Sequence, residues 1–169
     1  MKMNLPALLV LSLFVAFSAS AQDFDVPAEV PSTKEEFTNS EKDMIAAAKW
    51  LEATAMGSQM DKREKVNAWV IGWIINSPSV TLEIHSDFVG LFDKNPHLNA
   101  VWMANYARYV LENNYSKDQV QAHVAALRSV INCYNLGGDL KKDKSLAKLI
   151  EKDKEGKLED WVKDALVSK

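Results

Sequence analysis

The sequence predicts an all-α protein: a compact bundle or short stack of about six helices with a central antiparallel helical hairpin and a short irregular insert. Three observations predict it. Apolar residues recur at helical spacing through most of the chain after residue 40. Start residues such as Ser and Asn-Pro stand before these runs, and Gly or Asn-Ser-Pro stands after several of them. Only Ser79 to Ile84 alternates as a strand would, which is too little for a sheet.

The hairpin spans Asn95 to Gly138. Asn95 suits a helix cap and Pro96 suits the first helical position, where its missing N–H leaves nothing unpaired. At about 100° per residue, the residues from Leu98 to Leu111 cover most of a helix circumference with apolar side chains. A narrow stripe of Asn105, Arg108 and Glu112 is left for water. A helix apolar nearly all round is buried on several sides. Ser116-Lys117-Asp118-Gln119 has the S-x-x-Q form of a capping box and opens the second helix. Its apolar face is Val120, Val124, Leu127, Val130, Ile131 and Tyr134, with Gln121, Arg128, Ser129 and Asn132 on the wet face. Gly137-Gly138 closes it. The short turn Asn113-Asn114-Tyr115 forces the two helices antiparallel.

From the N-terminus, residues 1–21 read as a secretory leader. Lys2 gives the positive start, Leu8 to Phe17 the apolar core and Ala19-Ser20-Ala21 the cleavage site. Residues 22–39 contain Pro27 and Pro31 without a sustained period and read as an extended or disordered arm unless docked. Residues 40–169 read as a single helical domain. Ser40 caps a helix that buries Met44, Ala47, Ala48, Trp50, Leu51 and Ala55, turns Lys49 and Glu52 to water, and stops at Gly57. Lys62 to Asn76 is a core helix with Trp69 and Trp73 on one side and Ile71 and Ile75 on another. Ala68 and Gly72 leave it a shallow side open to close approach. Its apolar run is far shorter than the ~20 residues of a membrane span. After the alternating segment, Ser86 opens a short helix with Phe88, Val89, Leu91 and Phe92. Beyond Gly138, Leu146, Leu149 and Ile150 mark a short amphipathic helix ending near Gly156. Leu158, Trp161, Val162 and Ala165 mark a last one. Acids from Asp139 to Asp164 interleave with the lysines there, so this region reads as a salt-bridged, solvated face. The tetratricopeptide pattern does not occur.

The chain has 169 residues, 47% apolar and 25% charged, an ordinary globular composition for one domain. A formal net charge of −3 gives no electrostatic footprint for nucleic acid. The residue directly after the leader is Gln22 and not a lipid-carrying cysteine, so the mature protein is expected to be soluble in a periplasm or outside the cell, without membrane insertion.

The chemistry is sparse. The chain contains no G-x-S-x-G, H-E-x-x-H, P-loop or G-x-G-x-x-G arrangement. No catalytic residue, no metal site and no cofactor is expected. The single cysteine, Cys133, reads as a buried inert thiol, and His123 on the apolar arc as a hydrogen-bonded core histidine. Asn114-Tyr115-Ser116 is a sequon with meaning only in a eukaryotic secretory route. Two binding readings remain. Trp102, Tyr106 and Tyr109 project to one side of the central helix and would form an aromatic groove for a protein or a small apolar ligand if that side is uncovered. His85, Asp87 and His97, in the irregular segment near Glu83 and Asp93, are the alternative candidates for a small enzyme or metal-binding protein. The expectation is a non-catalytic interaction or ligand-binding module of the cell envelope.

Overall fold

In the computed structural model, residues 24–167 are described; the expected leader lies outside them. The elements are α1 (Lys34–Asn39), α2 (Glu41–Ala53), α3 (Met60–Asn76), α4 (Ser86–Val89), a 3₁₀ turn (Gly90–Phe92), α5 (Leu98–Glu112), α6 (Gln119–Leu136), α7 (Lys144–Lys154) and α8 (Leu158–Val167). Among the described residues there is no strand. The fold is a bundle of six principal helices with a central antiparallel hairpin, α5–α6, and an irregular insert carrying α4 and the 3₁₀ turn.

Helix α5 is the axis. It packs most extensively on α6 and α2, and also on α3. Its buried residues include Leu98, Val101, Trp102, Ala104, Tyr106, Ala107 and Val110. Asn105, expected on a wet stripe, is 1% exposed. Its amide donates to the Val101 carbonyl at 2.9 Å and, more weakly, to the Ala48 carbonyl of α2 at 3.5 Å. The wet stripe is therefore narrower than the sequence suggests, because α2 covers it. Arg108 closes the same seam with an ion pair to Glu52 at 2.8 Å. Glu52 also accepts from Asn132 of α6 at 2.9 Å, so a residue expected to face water joins three helices.

The helix starts differ in detail from the sequence reading. Asn95 does not cap α5. Its amide donates to the Lys141 carbonyl at 3.0 Å and its oxygen accepts the Lys141 N–H at 2.8 Å, which clamps the α6–α7 link. The Ser116–Gln119 box is replaced by Asp118, whose carboxylate accepts the Gln121 N–H at 3.0 Å; an acid at this place also suits the helix dipole. Ser40 bridges α1 and α2, and its hydroxyl accepts from Trp73 Nε1 at 2.8 Å instead of capping.

The expected arm is docked. Thr33 and Glu36 form a capping box that starts α1. Backbone N–H groups of Ser32 and Thr33 hold the Glu36 carboxyl below the usual carboxylate range. Phe37 is buried with its ring edge-on to Trp73 at 5.5 Å. Upstream, Phe24 is buried and the Glu29 carbonyl accepts from Trp69 Nε1 at 3.0 Å. The shallow side of α3 is filled by this strap: a Cβ at Gly72 would lie 2.8 Å from Val30 Cγ2. Ile71 and Ile75, expected in the core, face solvent at 36% and 73% exposure, because the strap and the other helices cover only the remaining sides of α3.

The α2–α3 link touches the end of α6 through a parallel bridge between Met56 and Gly138, with Asp139 N–H donating to the Met56 carbonyl at 3.0 Å. Gly138 has φ +98°, and a Cβ there would sit 2.0 Å from that carbonyl oxygen. Gly138→Ala is expected to destabilise the protein by more than about 2 kcal/mol, combining backbone strain with a clash that breaks the bridge. Gly90→Ala, where a Cβ meets nothing within 4 Å, should stay within about 0.5 kcal/mol of wild type. Urea unfolding of the two variants measures both.

Candidate functional site

The aromatic residues expected to line a groove are mostly interior. Trp102 and Tyr106 are 1% and 2% exposed, and Tyr109 is half-buried against the core. Among the described residues the side of α5 that carries Trp102 and Tyr106 is largely covered, and a small dimple of about 120 Å³ beside Ser116 reaches Tyr106. The covering surface is a stack of rings. His123 of α6 lies parallel to Phe88 of α4 at 4.2 Å between centroids and 5° between planes. Trp102 stacks on His123 at 5.6 Å, and Tyr106 meets it at 4.8 Å. Phe88 also touches Trp161 of α8, edge-on at 5.7 Å. The Tyr106 hydroxyl donates to the Thr81 carbonyl at 3.1 Å, tying the irregular insert to the axis. Burial pushes that phenol up to about 12, with Glu83 adding to the effect.

His123 departs from the sequence reading. It is a core histidine, 0% exposed, but among the described residues nothing hydrogen-bonds to either ring nitrogen. The ring is held by stacking, and its flat shape fills a flat space. Burial moves its pKa down to about 4; His85 pushes the same way and Glu83 opposes.

Cys133 is buried as expected. Its Sγ lies 3.7 Å from the Leu51 carbonyl, and burial pushes the thiol up to about 11, against the pull of Arg63. Arg63 itself is fully buried. It donates to the Thr54 carbonyl at the C-terminus of α2 and lies over the Trp50 ring at 5.5 Å. A cation suits that end of a helix dipole. Burial lowers its pKa, and Cys133 opposes. Neither thiol nor guanidinium reaches solvent.

The second set does not converge. His85 is half-buried, with Nε2 3.8 Å from a Glu83 carboxylate oxygen. Asp87 is exposed on α4, and His97 is exposed at the start of α5, where its side chain caps nothing. Among the described residues, no group of three or more His, Cys, Asp or Glu side chains is placed to hold a metal ion.

The surface does offer a cleft the sequence reading missed. It is about 180 Å³ and lies between α7, α8 and the 3₁₀ turn, lined by Leu91, Ser145, Lys148, Leu149, Lys152 and Trp161. Apolar packing forms each wall: Leu91 and Leu149 are anchored in the core, and Trp161 rests on Phe88. Of the five tryptophans, only Trp161 is not buried. Two wider hollows, about 410 and 500 Å³, flank the strap; the first is lined largely by polar groups, including Glu29, Glu36 and Asp43. The dimple of about 120 Å³ before α6 has a mixed lining, with Tyr106 and Val110 beside Ser116 and Gln119. The signal for the cleft was present in sequence: Lys144, Lys148 and Lys152 recur every fourth residue, where a solvated helix would favour alternating charge. Placing them beside Trp161 and Leu91 required the fold.

Comparison with protein-family models, with curated proteins and with solved structures finds no match to this chain. The class that the fold defines is an all-α helical bundle, and among its described residues no helix is long and apolar enough to cross a membrane.

Two outcomes follow from the ring stack. Trp102→Ala should cost about 3–5 kcal/mol, the range for a buried aromatic, in chemical denaturation. Stability should also fall as pH drops from about 6.5 to about 4. The unfolded chain takes up a proton on His123 near 6.5 while the folded chain resists until about 4. The loss is on the order of 3 kcal/mol from this residue. His123→Phe should flatten that part of the Tm–pH curve; an unchanged curve would show that the imidazole is not held neutral.

Proposed function

We propose that this protein is an exported, non-catalytic interaction module that docks one apolar side chain of a partner protein in the α7–α8 cleft. The observation that carries the reading is the size and lining of that cleft. At about 180 Å³ it is close to the ~150 Å³ cavity that accommodates a benzene ring, and it is below the ~300 Å³ at which small-ligand sites begin. Such a space suits one side chain of a larger partner better than a whole free ligand. Tryptophan is among the residues that contribute most at protein interfaces, and Trp161 is accessible here beside Leu91 and Leu149. The leader-like residues 1–21 support export to a periplasm or beyond.

The reading is tested by titrating ¹⁵N-labelled protein with a capped alanine-rich peptide carrying one phenylalanine. The Trp161 indole resonance should shift in a saturable manner, the other four indole signals should stay in place, and the peptide should be recovered unchanged. A static Trp161 signal at millimolar peptide, or cleavage of the peptide, counts against it.

A further inference from the structure

We infer that the cleft recognises the free C-terminus of a partner chain whose last residue is large and apolar. This rests on the reading of the cleft as a docking site and adds the partner's chemistry.

Charge is the first argument. Lys148 and Lys152 line the same small space as Trp161 and Leu149, and among the described residues neither forms an ion pair. Their neighbours do. Arg128 pairs with Asp153 at 2.9 Å, Lys157 with Glu155 at 2.7 Å and Lys163 with Glu159 at 2.7 Å. Other lysines, Lys144 and Lys154 of α7 among them, also stand outside these pairs, and Lys152 acts on the Glu155 carboxylate. What sets Lys148 and Lys152 apart is that both line the cleft. With Lys144 they stand four residues apart along α7, a spacing at which like charges repel mildly in an isolated helix. An anion between Lys148 and Lys152 relieves that repulsion and faces two ammonium groups at once.

Geometry is the second. The apolar floor and the cations belong to one cleft of about 180 Å³, so the partner's apolar group and its anion must lie close together. The last residue of a chain carries both on a single Cα. An acidic neighbour within a chain starts one Cα step away, 3.8 Å, and in extended backbone its side chain points to the opposite face. A terminal carboxylate thus meets the lysines while its own side chain enters the cleft.

The test compares two peptides on the full chain by calorimetry and by the Trp161 indole shift. Both are N-acetylated, with three alanines and a final phenylalanine; one ends in a free carboxylate and the other in an amide. The free acid should bind about tenfold more tightly than the amide, in line with two charge-assisted contacts. Its affinity should fall with added salt while that of the amide does not. The double variant Lys148→Gln, Lys152→Gln, whose fold is checked by Tm, should remove the difference between the two peptides. Equal binding of acid and amide overturns the chain-end inference and leaves the docking reading standing. Equal binding of the free acid and of an amidated peptide with aspartate before the phenylalanine also overturns it. If neither peptide moves Trp161, the docking reading falls and the inference with it.

Discussion

Among the described residues, α2, α3 and α6 are packed around one helix, α5. Its apolar residues run almost around its circumference, so α6, α2 and α3 each take a side. A helix buried so completely leaves little room for polar groups, and a buried polar group is costly unless it is paired within the protein. Asn105 Oδ1 and Trp102 Nε1 have no partner among the described residues, but the Asn105 amide nitrogen pairs with the Val101 and Ala48 carbonyls. Arg108, Glu52 and Asn132 do so along the seam where α2, α5 and α6 meet. This seam fixes the rotation of three helices that apolar packing alone would specify less tightly.

The ring stack extends that core outward in one direction. From Trp102 on the axis it passes through His123 and Phe88 to Trp161, which is the first ring in the series to reach the surface. A neutral imidazole without a hydrogen-bond partner is an uncommon choice for such a place, since burying an unpaired polar group costs about 1–3 kcal/mol. Close stacking with Phe88 offsets part of that. The consequence is a core that favours neutral pH, and a surface tryptophan whose orientation depends on rings two layers below it.

The cleft at the end of this series combines apolar walls set by packing with two cations set by helix spacing. Neither half is a site alone. Lysines four apart on a helix are ordinary surface residues, and a half-exposed tryptophan is common. Their convergence on one side-chain-sized hollow is what motivates the proposal of an apolar group with an adjacent anion as the ligand. The interior titratable groups, Cys133, Arg63 and His123, are closed off from such a ligand.

Apart from α1, which lies in residues 22–39 read as an arm, the sequence by itself determined the helices, the central hairpin, the irregular insert and most of the core. Those features follow from local spacing, which a chain displays without folding. Its helix-start signals were sound as locations but not as contacts: Asn95 clamps Lys141 instead of capping α5, and Asp118 takes the place of Ser116. Only the tertiary structure decided which side of each helix is covered. Asn105 is buried because α2 lies over it, and Ile71 and Ile75 are exposed because nothing does. The strap on α3, the stack around His123 and the cleft formed by Leu91, Lys148 and Trp161 join residues far apart in the chain. No spacing rule reaches across such separations; packing brings them together.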